Sequence, residues 1–337
     1  MVDLSTTYLG LKLKNPLVPS ASPLSRHVDN AKRLEDAGAA ALVMYSLFEE
    51  EVRAEEGMLD RFLVNQELGC PEASGFLPAQ RDYQSKLDSY LEQLTRLKKS
   101  LAIPVVASLN GVSPSGWTEL GREMQDAGAD ALELNVYYVA GEATDAAAVV
   151  ESRYVDLLEE LTDAVTLPIV MKLSPFFSSL PNFVQRLEQA GARGVALFNR
   201  FFQPDIDLET LTVNEQPLLS TSADALLVMR WLAILHGRTN LTLAATGGVH
   251  TPADALKMLL AGADVVHMAS ALLLNGPQRL VDVLKGIETW MEEREYDSVE
   301  QLKGSLSQQH QADPSCFARA SYVRVLDSYT PPKSVWR

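Results

Sequence analysis

Cysteine is scarce in this chain: its 337 residues include only Cys70 and Cys316. Two cysteines exclude a disulfide framework and a cysteine-rich metal centre. The five histidines show no ligand spacing of the H-E-x-x-H kind. We therefore expect no resident metal ion.

Long apolar runs and an excess of basic residues are also missing. The longest apolar runs are short, as at 226–229, where Arg230 ends the run, so no membrane-spanning segment is expected. The first residues lack the basic start and apolar stretch of a signal peptide, which predicts a cytoplasmic protein. The net charge of −15 argues against nucleic acid or an anionic membrane as a partner, because phosphate binding needs clustered Lys and Arg.

One junction is present four times: a helix-like stretch ends in Ala-Gly-Ala and runs into an apolar strand. The central residues are Gly38, Gly128, Gly191 and Gly262. Glycine tolerates the left-handed conformation that closes a helix. Strands without polar alternation, spaced by helices, are typical of a parallel sheet covered on both faces. The pattern predicts an α/β protein, a (β/α)8 TIM barrel, with its chemistry at the carboxyl ends of the strands.

The rest of the chain fits one such barrel, so we predict a single domain over 1–337. A short N-terminal hairpin is expected at 4–13 and a C-terminal helical tail at 298–337, packed outside the barrel. Residues 46–80 and 137–148 are predicted to be long loops over the strand ends. The predicted strands are 17–20, 41–45, 105–108, 132–136, 169–173, 194–198, 241–245 and 265–268. The predicted helices are 28–37, 83–99, 117–126, 182–189, 224–235, 253–261 and 278–295.

Two loops have the composition of a phosphate site. Thr246-Gly247-Gly248-Val249 follows the seventh strand and Ala269-Ser270 follows the eighth. In a barrel these loops commonly bind phosphate, since glycine lets backbone N–H groups approach an anion. A plain turn is the alternative for a single Gly-Gly pair.

Polar residues at other strand ends predict a ligand site. Lys172 lies in an otherwise apolar strand, and a buried ammonium needs an anion, a cofactor carbonyl or a carboxylate such as Glu133. Asn110, Asn135 and Asn199 come at or after three further strands. Side-chain amides both donate and accept hydrogen bonds, so they suit a planar ligand with carbonyl and N–H groups.

Taken together, these segments resemble the dihydroorotate dehydrogenase family, the FMN-dependent barrels of pyrimidine biosynthesis. The resemblance covers roughly residues 4–284, and the phrase at 318–322 is similar as well. Its motifs lie at 10–16, 19–22, 105–111, 133–136, 170–175, 197–199, 245–248 and 268–272.

The resemblance implies an FMN cofactor and hydride transfer between flavin and the CH–CH group of a dihydroorotate-like substrate, while a base removes the neighbouring proton. Tyr138 and Lys172 would be catalytic, and Asn135, Asn199 and Ser74 would contact the substrate. The flavin would be lined by Ala21, Ser22, Ser46, Asn110, Asn135 and Lys172. Its phosphate side would be held by Ser220, Thr221, Gly247, Gly248, Ala269 and Ser270. The family also implies a homodimer.

The loop after the fourth strand departs from the family pattern. Tyr138 stands where the family has a cysteine or serine base, and Ala140 replaces a substrate-binding asparagine. Tyrosine has a reference pKa near ~10 and is mostly neutral at working pH. The sequence therefore supports FMN binding better than dihydroorotate turnover. Three interpretations stay open: an altered base or a different substrate, a non-flavin phosphate-binding TIM-barrel enzyme, and a flavoprotein subunit or scaffold serving a redox partner protein.

Overall fold

Twelve strands and the helices between them make up the part of the chain that the computed structural model describes, residues 2–55, 85–111, 116–200, 203–214, 218–317 and 320–328. The strands are β1 (Thr6–Tyr8), β2 (Leu11–Leu13), β3 (Leu17–Pro19), β4 (Leu42–Phe48), β5 (Val105–Gly111), β6 (Ala131–Val136), β7 (Ile169–Leu173), β8 (Gly194–Leu197), β9 (Asp205–Asp207), β10 (Thr212–Asn214), β11 (Thr242–Thr246) and β12 (Val265–Met268).

Eight of these strands form one parallel sheet in the order β3-β12-β11-β8-β7-β6-β5-β4. The two ends of the sheet meet, because the backbone N–H of Ala40 donates to the carbonyl of Leu17 at 3.0 Å. All eight predicted strands are present, with helices between them. The predicted (β/α)8 TIM barrel is therefore confirmed.

The helices differ from the prediction mainly at residues 49–55, which lie in the predicted loop 46–80, and in the segment after β6. Residues 147–148 were predicted to be loop, but a helix of 18 residues spans Ala147–Ala164. Its start has no side-chain cap, since Ala146 occupies the capping position, so the usual sequence signal is missing. The described helices of the α type are Val28–Asp36, Lys86–Ser100, Trp117–Asp126, Ala147–Ala164, Leu180–Gln189, Ala225–Leu235, Pro252–Ala261, Ser270–Asn275, Gln278–Glu293, Val299–Leu302 and Ala320–Ser328, and residues 49–55 are also helical.

The four repeated glycines all have the positive φ that the junction requires. Their φ angles are 104° at Gly38, 96° at Gly128, 102° at Gly191 and 124° at Gly262. A side chain with a Cβ rarely adopts this conformation, which is why glycine recurs at these four junctions between a helix and a buried strand.

The N-terminal hairpin β1–β2 closes the end of the barrel opposite the site. Tyr8 and Leu9 pack with Val18, Val106 and other interior strand residues in one buried apolar cluster. The Thr6 hydroxyl donates to the Asp264 carbonyl at 2.9 Å, next to the start of β12. Among the described residues, the hairpin thus fills the amino-terminal end of the barrel and leaves the carboxyl ends of the strands for a ligand.

The segment after the last long helix packs on the outside of the helical layer. Val299 and Leu302 are buried. The backbone N–H of Gly304 donates to Leu259 and that of Gln308 to Ala233, each at 2.9 Å. Residues 329–337 lie outside the described residues, and the single-domain assignment stays a prediction.

The described residues contain neither a helix suited to a membrane nor a cluster suited to a metal ion. None of their helices has the length and hydropathy that crossing a bilayer requires. Within the same residues, no group of three or more His, Cys, Asp or Glu side chains is arranged to hold a metal ion.

Gly194 should be intolerant of a side chain, because a Cβ there would lie 2.5 Å from Thr242 Oγ1 and 2.8 Å from Leu9 Cδ2. Gly194→Ala should lower the free energy of unfolding by about 1–3 kcal/mol through overpacking between β8, β11 and the hairpin. Urea unfolding measures this. Gly141→Ala is the control, since its nearest atom would be 3.9 Å away. Equal stability of the two variants would contradict the packing described here.

Candidate functional site

A cavity of about 730 Å³ opens at the carboxyl ends of the barrel strands. Six of the residues predicted to bind a ligand line it, and they come from six different strands or strand ends. The described lining is Ala21, Ser46, Phe48, Glu50, Glu51, Asn110, Asn135, Tyr137, Lys172, Asn199, Arg200, Gln203 and Leu218. Its size is that of a cofactor or small-molecule site.

The three predicted asparagines meet on one side of this cavity. Asn110 and Asn135 are register partners on β5 and β6. The Asn199 Nδ2 donates to the Asn135 Oδ1 at 2.6 Å. This contact fixes the orientation of both amides, so their remaining donors and acceptors are available to a ligand with carbonyl and N–H groups.

Lys172 both lines the cavity and forms an ion pair inside the barrel. Its Nζ lies 3.3 Å from Glu133 Oε1, and the side chains are 8% and 0% exposed. The Ser108 hydroxyl donates to the same carboxylate oxygen at 3.1 Å and lies 2.9 Å from the Ser46 hydroxyl. A continuous polar chain therefore runs from Ser46 on β4 to Lys172 on β7.

The glycine turn after β11 borders a second cavity of about 290 Å³, which shares Asn199, Arg200 and Gln203 with the first. Gly247 lines this cavity, and no atom lies within 4 Å of where its Cβ would be. At Gly248 a Cβ would be 2.2 Å from the backbone nitrogen of Ala225, the first residue of a helix. One glycine thus leaves space for a ligand, and the other lets the turn contact a helix N-terminus.

Among the other residues predicted for the phosphate side, Ser220 contacts both Ser270 and His250, which follows this turn. The Ser220 N–H donates to the Ser270 Oγ at 3.0 Å, and the Ser220 hydroxyl lies 3.1 Å from His250 Nε2. Thr221 forms a capping box with Asp224. Ser22, Ser220, Thr221, Gly248, Ala269 and Ser270 are not in the described lining of either cavity. Ser74 lies outside the described residues.

Arg200 is the cation that borders both cavities, and the sequence did not mark it as a site residue. Its Nε donates to the Leu218 carbonyl at 2.6 Å, and Nη1 lies 3.2 Å from Asp224. Phe48, Glu50, Glu51, Tyr137, Gln203 and Leu218 were missed as well. Most of these residues lie in connections, where no periodic pattern marks the side chains that face a ligand.

Tyr138 lies beside the cavity, and its neighbour Tyr137 is the tyrosine that lines it. The Tyr138 hydroxyl donates to Asp145 at 2.8 Å, and the Arg153 guanidinium lies 4.4 Å from its ring centroid. The hydrogen bond to Asp145 raises the pKa of Tyr138, because it stabilises the protonated hydroxyl. The role of Tyr138 as a base stays a prediction, and this contact reduces the fraction of Tyr138 that is ionised, and so able to accept a proton, at neutral pH.

Comparison with known proteins identifies the family. A family model described as dihydroorotate dehydrogenase matches residues 3–291. The chain belongs to the dihydroorotate dehydrogenase family. The resemblance inferred from the sequence motifs is thereby confirmed.

In several relatives about a quarter of the aligned residues are identical to those of this chain. The catalytic subunit of dihydroorotate dehydrogenase B (NAD(+)) from Thermoplasma acidophilum is 26% identical over 90% of this chain and 99% of its own length. The Methanosarcina mazei protein of the same name is 28% identical over 88% and 93%. The NAD-dependent dihydropyrimidine dehydrogenase subunit PreA of Escherichia coli is 24% identical over 90% and 76%.

The contact between Tyr138 and Asp145 predicts that the Tyr138 phenol ionises only above the ordinary tyrosine range, near ~10. An ultraviolet difference titration of wild type against Tyr138→Phe measures this. Asp145→Asn is the control and should bring the titration to lower pH.

Dihydroorotate oxidation should accordingly be very slow near neutral pH and rise with alkalinity if Tyr138 is the base. Fast neutral turnover that persists in Tyr138→Phe would assign the base to another residue.

Proposed function

We propose that this protein is an FMN-dependent oxidoreductase acting on the CH–CH group of a dihydroorotate-like substrate, with a place in pyrimidine biosynthesis. The observation that carries the proposal is the joined pair of cavities at the strand ends. One contains Lys172 and the three asparagines, and the other reaches the Gly247 turn. Membership of the dihydroorotate dehydrogenase family supports the same conclusion.

The residues present fit FMN at both ends of the molecule. The larger cavity offers a buried ammonium and paired amides to a planar ring with carbonyl and N–H groups. The smaller one offers an open glycine turn packed on a helix N-terminus, which suits a phosphate. Arg200 adds a positive charge between the two. An elongated ligand with a flat polar ring and an anionic tail matches this arrangement.

When bound, FMN supplies the hydride-transfer chemistry. Lys172 would hold its ammonium against negative charge that develops on the reduced ring, in a site where few water molecules screen the charge. Asn135 and Asn199 would orient the substrate through their paired amides. Because Tyr138 holds its proton through Asp145, it would be protonated near neutral pH and could accept a substrate proton only at high pH.

A redox partner protein is part of the proposal. The Thermoplasma acidophilum relative is named a catalytic subunit and the Escherichia coli relative a subunit, which supports an assembly with a second protein. The family match favours this flavoprotein over a non-flavin barrel that acts on another phosphate compound.

The visible spectrum of the purified protein tests the cofactor directly. We expect a yellow protein that releases FMN, identified by mass spectrometry, on denaturation. Supplying the expressing cells with riboflavin rules out a shortage of cofactor. A colourless protein that takes up no FMN on reconstitution would overturn the proposal.

Gly247→Asp should abolish retention of the cofactor, because it places a carboxylate where the phosphate is expected and like charges repel in a partly desolvated site. Flavin content per folded protein measures the effect. Gly10→Asp is the matched control: Gly10 also has positive φ and open space around its Cβ position, but it lies in the hairpin at the opposite end of the barrel. Full flavin content in folded Gly247→Asp would contradict the phosphate assignment.

A further inference from the structure

A polar layer crosses the interior of the barrel directly below the cavity. Ser108, Glu133, Lys172 and His267 belong to it. Each comes two residues after an apolar interior residue of the same strand, Val106, Ala131, Val170 and Val265. Because strand side chains alternate between the two faces, these polar residues point into the barrel like the apolar residues below them.

Glu133, unlike its partner Lys172, is not positioned to touch a ligand in the cavity. It is fully buried and absent from the described lining of the cavity. The Glu133 Oε1 accepts two hydrogen bonds, one from Lys172 Nζ at 3.3 Å and one from the Ser108 hydroxyl at 3.1 Å. Among the described residues its Oε2 has no hydrogen-bond partner. Glu133 therefore reaches the cavity through its partners, directly through Lys172 and, by way of Ser108, through Ser46.

Ser108 is itself held rigidly, so it can fix the carboxylate. Its backbone N–H donates to the Tyr90 hydroxyl at 2.9 Å, and that hydroxyl donates back to the Ser108 carbonyl at 3.2 Å. Tyr90 is a fully buried residue of the helix Lys86–Ser100. The helix thus anchors β5, Ser108 anchors Glu133, and Glu133 anchors the ammonium.

Glu133 is the carboxylate in direct contact with Lys172. The other titratable groups around this ion pair are His267, Tyr8 and Tyr90 on the buried side and Glu50, Glu51, Tyr137 and Arg200 around the cavity. Burial lowers the pKa of His267 to about 3, with a further lowering by the Lys172 charge, so this imidazole is neutral. Glu51 is paired with Lys86, and Arg200 with Asp224.

We propose that Glu133 is a positioning residue, which holds the Lys172 ammonium charged and in place at the floor of the cavity. A lone buried ammonium is strongly disfavoured, whereas one paired with a hydrogen-bonded carboxylate is tolerated. Glu133 thereby sets how strongly the reduced flavin is stabilised. The effect of Glu133 on the flavin rests on the proposed function, whereas the ion pair is independent of that function.

The test is the midpoint potential of the bound flavin, measured across a pH series in wild type, Glu133→Gln, Lys172→Met and the double variant. In Glu133→Gln the potential should exceed that of wild type at low pH, since the ammonium is no longer neutralised. At high pH it should fall to that of the double variant, as the unpaired amine loses its proton. We expect a change of at least tenfold in the two-electron equilibrium, about 30 mV. The double variant should lose this extra pH dependence.

Asp264→Asn is the matched control, because it removes the carboxylate of another partly buried ion pair. Lys303 Nζ lies 2.9 Å from Asp264, which precedes β12 at the end of the barrel opposite the cavity. It should leave the potential unchanged. A Glu133→Gln profile that follows wild type at every pH would overturn the proposal, as would extra pH dependence that survives in the double variant. If Glu133→Gln does not fold, Ser108→Ala replaces it and must raise the potential above that of wild type at low pH, because the less stabilised carboxylate takes up a proton there; a potential that follows wild type at every pH overturns the proposal.

A failure of the proposed function is distinguishable from a failure of this inference. If wild type binds no flavin, the function fails, and the ion pair is tested in the flavin-free protein with ¹³C-labelled lysine. The Lys172 signal, assigned by its absence in Lys172→Met, should then show an amine that loses its proton in Glu133→Gln at a pH where wild type stays charged. Identical titrations would overturn the inference.

Discussion

The ion pair of Lys172 and Glu133 is the interaction on which the candidate site depends. A single charge inside a barrel would be severely destabilising, but a pair with a hydrogen-bonded carboxylate can be kept there. Ser108 supplies that hydrogen bond, and the strands on either side supply the low-dielectric surroundings. The pair allows a positive charge to face the cavity while the residues below it stay apolar. Removing one partner would leave the other charge buried and uncompensated.

The barrel turns this pair into a site through the alternation of its strand side chains. The interior has an apolar lower part sealed by the β1–β2 hairpin, a polar layer, and a mouth that carries the asparagines. The connections then add the parts that differ most between barrels, such as the Gly247 turn and Arg200. Charge, amides and glycine turn are thus brought together from strands far apart in the chain.

Much of this arrangement follows from the sequence. The Ala-Gly-Ala junctions predicted the barrel, and polar residues at strand ends predicted that Asn135, Lys172 and Asn199 would meet. The helix Ala147–Ala164 was missed because Ala146 provides no capping signal. Arg200 could not be placed, because its position depends on a contact with the Leu218 carbonyl, 18 residues away. Glu133 had a signal, a charged residue at the interior position of an apolar strand, but only as a partner for Lys172.

Calorimetric titration of the flavin-free protein with FMN and with riboflavin tests the central claim most directly. The two ligands share the ring that Lys172 and the amides would contact, and only FMN has the phosphate that the Gly247 turn would hold. We expect FMN to bind and riboflavin to bind at least tenfold more weakly, a difference in binding free energy of about 1.4 kcal/mol. Equal affinities would contradict the assignment of the glycine turn, and no binding of either ligand would contradict the flavin site as a whole.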